Sequence, residues 1–491
     1  MEKLTVKKKN EVYLEIECDS GIARELCEYF SFLVPGYQFM PAYKMRMWDG
    51  KLRMFNLMNY TLYCGLLPYL REFCKTRQYE LEIDPALTAK VSFSHEQTKK
   101  FLELLELPFE ARDYQVDAIQ TAIHTNRALL VSPTGSGKSL IIYALTRYYN
   151  KRTLIIVPTI SLVSQMFSDF KDYARNQPEY CVDRICHPIY SGQEKLTNKN
   201  VVISTWQSIY KLPKEWFAQF DVVIGDEVHL FKAKSLTGIM SKLENTKYRF
   251  GTTGTLDGTQ THKLVLEGLF GTTMSVTTTK KLMDKKHLAD LKIECVVLKY
   301  DTPSCKLIKK VKYNEEIKFL IENEKRNKFI RNLAVSTSAN CLVLFQFVES
   351  HGKILYDSIK ELAHKKDPSR KVFFVAGETA AETREEIRKI TENERNAIIV
   401  ASTGVFSTGV NIRNLENIIF ASPTKSRIKT LQSIGRTLRI GDHSDKATLY
   451  DIVDDLTDKS HKNFAVKHFL ERVKIYNEEK FKYKLHKVNL F

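Results

Sequence analysis

Ser132-Pro-Thr-Gly-Ser-Gly-Lys-Ser139 constrains this chain of 491 residues more than any other stretch. It follows the apolar run Ala128-Leu-Leu-Val131, which reads as a buried parallel strand, and it opens the helix-like segment Leu140-Ile-Ile-Tyr-Ala-Leu145. Strand, glycine-rich turn and helix form the setting of a phosphate-binding loop. Gly135 and Gly137 let backbone N–H groups approach phosphate oxygens, with Thr134 and Ser136 completing the loop and the helix dipole assisting. Lys138 can then reach the β- and γ-phosphates of ATP, and Ser139 can hold Mg²⁺. The strict pattern begins with glycine, and Ser132 stands in that place. The bland alternative is a helix N-terminus with a fortuitous Gly-Lys-Ser.

A second apolar run, Val222-Val-Ile-Gly225, ends in Asp226-Glu227. Asp226 would complete the Mg²⁺ site, and Glu227 would orient and deprotonate the attacking water. Taken alone, an acidic strand end on a solvated rim explains such a pair as well.

An ordered series removes that ambiguity. Asp226-Glu-Val-His229 resembles motif II of the superfamily 2 helicases, and Arg112-Asp-Tyr-Gln115 resembles their adenine-reading Q motif. A glutamine amide can donate to and accept from the adenine edge. Val157-Pro-Thr159 resembles motif Ia, Ser204-Thr-Trp-Gln207 motif Ib, and Thr253-Gly-Thr255 motif III with glycine at the usual alanine position. Ser402-Thr403 through Phe406-Ser-Thr-Gly409 resembles motif V, and Gln432-Ser-Ile-Gly-Arg-Thr-Leu-Arg439 resembles motif VI. The resemblance assigns Gln432, Arg436 and Arg439 to the catalytic machinery, with the two arginines on the γ-phosphate, and gives Gly409 a nucleotide contact. It places nucleic-acid contacts at Thr159, Thr205, Trp206 and Thr403. Asn411 stands where motif V often has aspartate.

Composition agrees with a folded motor. Lysine and arginine number 75 against 58 acids, a formal charge of +17 that favours a polyanionic partner. The nine cysteines form no CxxC pair. Cys181 and Cys186-His187 are poorly spaced for zinc, so reduced thiols in a cytoplasmic setting are expected. No apolar run is long enough to span a bilayer, and the N-terminus lacks a signal-like core.

The expected fold class is α/β: two RecA-like parallel-sheet lobes preceded by a small α+β (split βαβ) domain. The expected boundaries are 1–107 for an N-terminal DNA-binding domain, 108–276 for the first lobe and 277–458 for the second. Residues 459–491 read as a basic helical tail packed on the second lobe. The polar stretch Thr277–Lys286 reads as the inter-domain connection. The N-terminal order reads β-α-β-β-α-β, with Asp49-Gly50 as a two-residue hairpin turn. Period-two alternation would then put Lys44, Arg46, Trp48, Lys51 and Arg53 on one face. Like charges opposed across a ladder are unfavourable unless an anion relieves them, so this face suits a nucleic-acid backbone and one stacked base. A solvated basic face is the alternative.

The whole order resembles the UvsW-type helicases of tailed phages. The resemblance extends to Gly36-Tyr-Gln-Phe-Met-Pro41, Trp48-Asp-Gly50, Lys214-Glu-Trp-Phe217 and Val488-Asn-Leu490. It implies an ATP- and Mg²⁺-dependent monomer, with ATP in the cleft between the lobes, that unwinds and branch-migrates forked or four-way DNA. It also implies recombination or replication proteins as further partners. Three rivals remain: a superfamily 2 RNA helicase, a double-strand translocase of a restriction-type complex, and a non-enzymatic branch-binding or annealing protein.

Overall fold

A computed structural model describes residues 3–89, 91–190, 192–230, 233–256, 259–408, 412, 414–423, 426, 430, 431, 433–435 and 446–491. The chain divides into two compact units, residues 1–132 with 137–276, and 133–136 with 277–491.

Among its described residues the first unit holds two large sheets of different character and a two-stranded ribbon. One is a seven-stranded sheet in which every pairing is parallel, in the order Cys186–Ile189, Val201–Thr205, Thr153–Val157, Val222–Gly225, Tyr248–Thr253, Arg127–Val131 and Thr273–Ser275. Thr153–Val157 and Val201–Thr205 are buried along their whole length, which explains why they read as continuous apolar runs and not as alternation. The sequence reading found the five central strands and missed the two at the edges. Cys186-His-Pro-Ile189 and Thr273-Met-Ser275 are short and mixed, and are held as strands by their neighbours.

The other sheet belongs to the N-terminal domain and is mixed. Phe55–Asn56, Thr61–Tyr63, Tyr13–Glu17 and Lys3–Lys8 pair antiparallel, and Glu80–Ile83 joins Lys3–Lys8 in parallel. Leu4, Val6, Leu14 and Ile16 face a core filled by Ile22 and Leu26 of helix Ser20–Tyr29 and by Leu70 and Phe73 of helix Leu67–Arg77. Lys3–Lys8 was not expected as a strand, because its lysines mask the alternation.

The expected hairpin at Asp49-Gly50 does not form. Residues Pro41–Lys44 are one helical turn, and Lys51–Arg53 pairs antiparallel with Ser31–Leu33 instead. Arg46 has φ 56°, so the segment before the turn is not extended and cannot present alternate residues on one face. Gly50 (φ 81°) ends a folded loop, not a two-residue hairpin turn.

The two large sheets of this unit share a core. Leu264, from helix Gln260–Phe270 beside the parallel sheet, is buried within the N-terminal cluster. A Cβ on Gly65 would lie 1.9 Å from the Glu267 carbonyl oxygen, so only glycine permits this approach. Tyr69 donates to the buried Glu267 carboxylate at 2.6 Å, and Glu11 N–H donates to the Glu244 carbonyl at 2.9 Å. The fully buried Arg249 donates to the carbonyls of Met240 (2.8 Å), Leu243 (2.9 Å), Leu269 (3.1 Å) and Glu11 (3.4 Å), while Arg127 meets the Glu11 carboxylate at 3.2 Å.

The second unit is a seven-stranded parallel sheet ordered Val372–Val375, Ile398–Ser402, Cys341–Phe345, Asn417–Phe420, Lys446–Asp455, Asp290–Lys299 and Tyr483–Asn489. Lys446–Asp455 carries a buried aspartate on each face. Asp454 accepts from Arg326 Nε at 2.7 Å and from Tyr300 at 2.8 Å, fastening helix Glu324–Ser336. Three residues earlier, Asp451 accepts from Arg472 Nη2 at 2.7 Å and Tyr476 at 2.9 Å, fastening helix Phe464–Glu478.

Two expectations change here. The tail is helical only over Phe464–Glu478; Tyr483–Asn489 is an edge strand parallel to Asp290–Lys299. The stretch read as a polar connection contains helix Thr279–Asp284, whose Leu282 and Met283 are buried. Gly409, Asn411, Gln432, Arg436 and Arg439 lie outside the described residues.

Candidate nucleotide site

The site in the first unit grows from the ends of three adjacent parallel strands. Arg127–Val131 runs into the phosphate loop, where Gly135 and Gly137 both adopt positive φ (83° and 80°) before helix Lys138–Tyr149 begins. A Cβ on Gly137 would meet the Gln115 amide at 2.4 Å, so the glycine admits that side chain. Ser132 N–H donates to the Thr253 carbonyl at 2.8 Å, tying the loop to the neighbouring strand.

Val222–Gly225 delivers Asp226 and Glu227, and Glu227 sits at φ 48°, a conformation costly for a non-glycine residue. Its Oε1 lies 3.0 Å from Lys138 Nζ, and its Oε2 accepts from Gly254 N–H at 3.2 Å. His229 is buried, with Nδ1 at 2.6 Å from Thr253 Oγ1 and 3.3 Å from Glu227 Oε2. Thr253 Oγ1 donates to the Thr255 carbonyl at 2.8 Å, so it accepts from His229, and the ring proton therefore sits on Nδ1.

Asp226 accepts from Thr252 Oγ1 at 2.6 Å and from Glu227 N–H at 2.9 Å, both on Oδ1. Its Oδ2 is thus left for a cation, and the Ser139 hydroxyl, 2.7 Å from the Tyr173 hydroxyl, offers a second hard oxygen. No group of three or more His, Cys, Asp or Glu capable of holding a metal occurs among the described residues. A cation here would therefore draw most of its ligands from phosphate and water.

The two carboxyls differ in charge preference. Burial, and then the adjacent Glu227 charge, push Asp226 up to about 6. Burial also pushes Glu227 upward, but Lys138 and then His229 outweigh it and hold this carboxyl below its ordinary range. A raised carboxyl favours the fold below its unfolded pKa, and that contribution is lost as pH rises through about 6. Asp226→Asn keeps both hydrogen bonds and never ionises. Without Mg²⁺ or nucleotide, it should be more stable than the parent at pH 8 by about 3 kcal/mol, with the gain vanishing towards pH 4. Equal melting temperatures at pH 8 would refute the assignment.

The remaining expected residues are placed unevenly. Gln115 is buried; its Oε1 accepts from Arg112 N–H at 2.9 Å and its Nε2 faces the Gly137 carbonyl at 3.4 Å, so the amide braces the loop. Arg112 Nη1 donates to the Tyr114 hydroxyl at 2.8 Å. Thr159 caps helix Ile160–Tyr173, accepting from Leu162 N–H at 3.4 Å. Thr205 is only 4% exposed and its hydroxyl meets Ser208 at 2.8 Å, so of the Thr205-Trp206 pair the half-buried Trp206 is the one open to a partner. In the second unit, Thr403 donates to the Phe345 carbonyl at 2.9 Å. The sequence reading missed His229, Thr252 and Tyr173 as site residues. His229 was visible as the last letter of motif II, but nothing in the spacing announced Tyr173.

A phosphate loop, a carboxylate pair and a threonine strand end on one parallel sheet, with a second parallel sheet in the same chain, define a superfamily 2 helicase. Family profiles match in the same order: "DNA helicase UvsW, N-terminal" over residues 3–84, "Type III restriction enzyme, res subunit" over 108–258, and "Helicase conserved C-terminal domain" over 324–441. The chain is 36% identical over 500 residues to the ATP-dependent DNA helicase uvsW of Enterobacteria phage T4, covering 97% of this chain and 98% of that protein. The crystal structure of T4 UvsW matches with TM-score 0.53 and 34% identity over 100% of both chains. The DNA 3'-5' translocase XPB2 of Sulfurisphaera tokodaii is 23% identical, over 87% of this chain and 95% of its own. The chain belongs to the UvsW family of ATP-dependent DNA helicases.

Proposed function

We propose that this helicase unwinds and branch-migrates forked and four-way DNA, acting as a monomer with Mg²⁺ as the cation of the ATP site. The observation that carries this reading is the full-length match to a UvsW helicase, N-terminal domain included. Lys138 would hold the β- and γ-phosphates, Ser139 and Asp226 would hold Mg²⁺, and Glu227 would orient and deprotonate the attacking water. When bound, Mg²⁺ neutralises charge on the transferred phosphate. Lys138 is paired with Glu227. A bound phosphate would compete for the lysine and free the carboxylate to accept a proton. His229 keeps that carboxylate in register with the Thr253 strand end.

Gln432, Arg436, Arg439 and Gly409 complete the site in this reading, with the arginines stabilising charge on the γ-phosphate. Thr159, Trp206 and Thr403 track the strand backbone, and Lys44, Arg46, Lys51 and Arg53 add a basic N-terminal patch. Residues 1–107, 108–276, 277–458 and 459–491 are the proposed functional divisions, the last now understood as a helix and an edge strand.

ATP turnover measured with single-stranded DNA, a fork, a four-way junction and RNA at matched salt tests the reading. Branched DNA should stimulate most, and affinity should fall steeply with salt as counterions are released. Equal or greater stimulation by RNA would favour an RNA helicase. Translocation on duplex DNA without strand separation would favour a restriction-type motor.

A further inference from the structure

We propose that the loop over residues 37–50 is a pocket for one unpaired nucleotide at a DNA branch point, a refinement that rests on the DNA-remodelling reading above. The loop is built, not slack. Trp48 Nε1 donates to the Lys51 carbonyl at 2.8 Å, and Val34 N–H donates to the Gly50 carbonyl at 2.9 Å. The rings of Tyr37 and Tyr43 meet edge to face at 4.7 Å, and a Cβ on Gly50 would strike the Tyr37 ring at 2.5 Å. Arg46 is held at φ 56°, a strained setting of the kind found at ligand sites.

This rigid loop displays side chains that water does not favour. Met47 is 77% exposed and Met45 62% exposed. Beside them is an open depression of 580 Å³ lined by Gln38, Tyr43, Lys44, Arg46, Met47, Trp48 and Asp49, the last with its charge balanced by Arg53. That volume lies within the range of about 300–1,000 Å³ typical of small-ligand sites, room for a base with its sugar. Arg53 is committed to Asp49, whereas no ion pair engages Lys44 or Arg46 among the described residues. An indole, a phenol and a thioether offer apolar surface to a base, while two uncommitted cations suit the phosphate that accompanies it. Stacking needs an open base face, which duplex DNA hides and a branch point supplies.

The test is a cycle on the full-length protein without ATP. Two forks are compared, each with one unpaired nucleotide at the branch, in one case with its base and in the other abasic. For the parent protein, removing the base should weaken binding by about 5- to 100-fold. For Trp48→Ala the two forks should bind alike, and Trp48→Phe should restore part of the difference. Melting temperatures check that the variants are folded. Met47→Asp, at an exposed position that tolerates change, should also suppress the base dependence. Lys44→Ala and Arg46→Ala should each lower the salt slope by about one unit on both forks. Equal binding of the two forks by the parent, or full base dependence in a folded Trp48→Ala, overturns the pocket. If forks bind tightly and stimulate turnover in that case, the DNA-remodelling reading survives without it. If forks stimulate no better than RNA, that reading falls and the pocket falls with it.

Discussion

Glu227→Gln should lower ATP turnover by about 10²- to 10⁴-fold, the usual contribution of a positioned general base, and leave DNA binding largely intact. Glutamine keeps the acceptor for Gly254 N–H but can neither take a proton from water nor balance Lys138. Lys138→Ala has the same outcome for turnover by a different route, since it removes the cation that reaches the phosphates. Steady-state ATP hydrolysis and filter binding of a fork, measured on both variants, separate chemistry from DNA affinity. Near-normal turnover in both would sink the assignment of this site.

The second large effect is on stability. Asp454→Ala should cost about 3–5 kcal/mol, because Arg326 would remain buried with its charge uncompensated. The arginine is fully enclosed, and Tyr300 would lose its acceptor as well. For a unit of this size about 2–4 °C accompanies each kcal/mol, so a drop of roughly 10 °C in melting temperature is expected. Adding Arg326→Met should recover much of the loss, since the pair's desolvation is removed along with its attraction. If Asp454→Ala melts like the parent protein, Asp454 is not the clamp described.

What the sequence made legible follows from burial. Strands such as Leu154-Ile-Ile-Val157 are apolar without interruption because both sheet faces are buried. The phosphate loop and the carboxylate pair were readable because their chemistry fixes residue type and spacing. The hairpin was misread for the complementary reason. Asp-Gly favours a tight turn locally, but pairing Lys51–Arg53 with Ser31–Leu33 satisfies those backbone groups from a distant strand, and tertiary pairing overrode the local preference. The final strand, Tyr483–Asn489, was hidden because most of its side chains are exposed and only the sheet edge defines it. Tyr173 was hidden because its partner Ser139 lies 34 positions away.

Gly65 against Glu267, with Arg249 and Arg127 gripping Glu11, gives the N-terminal domain no hinge at its seam with the phosphate-loop sheet. Two bodies cast as one piece need no transmission. A displacement of that sheet carries the N-terminal domain with it as one body. With a branch nucleotide seated in the loop over residues 37–50, as proposed above, the motor's stroke would be measured out on the DNA at that point.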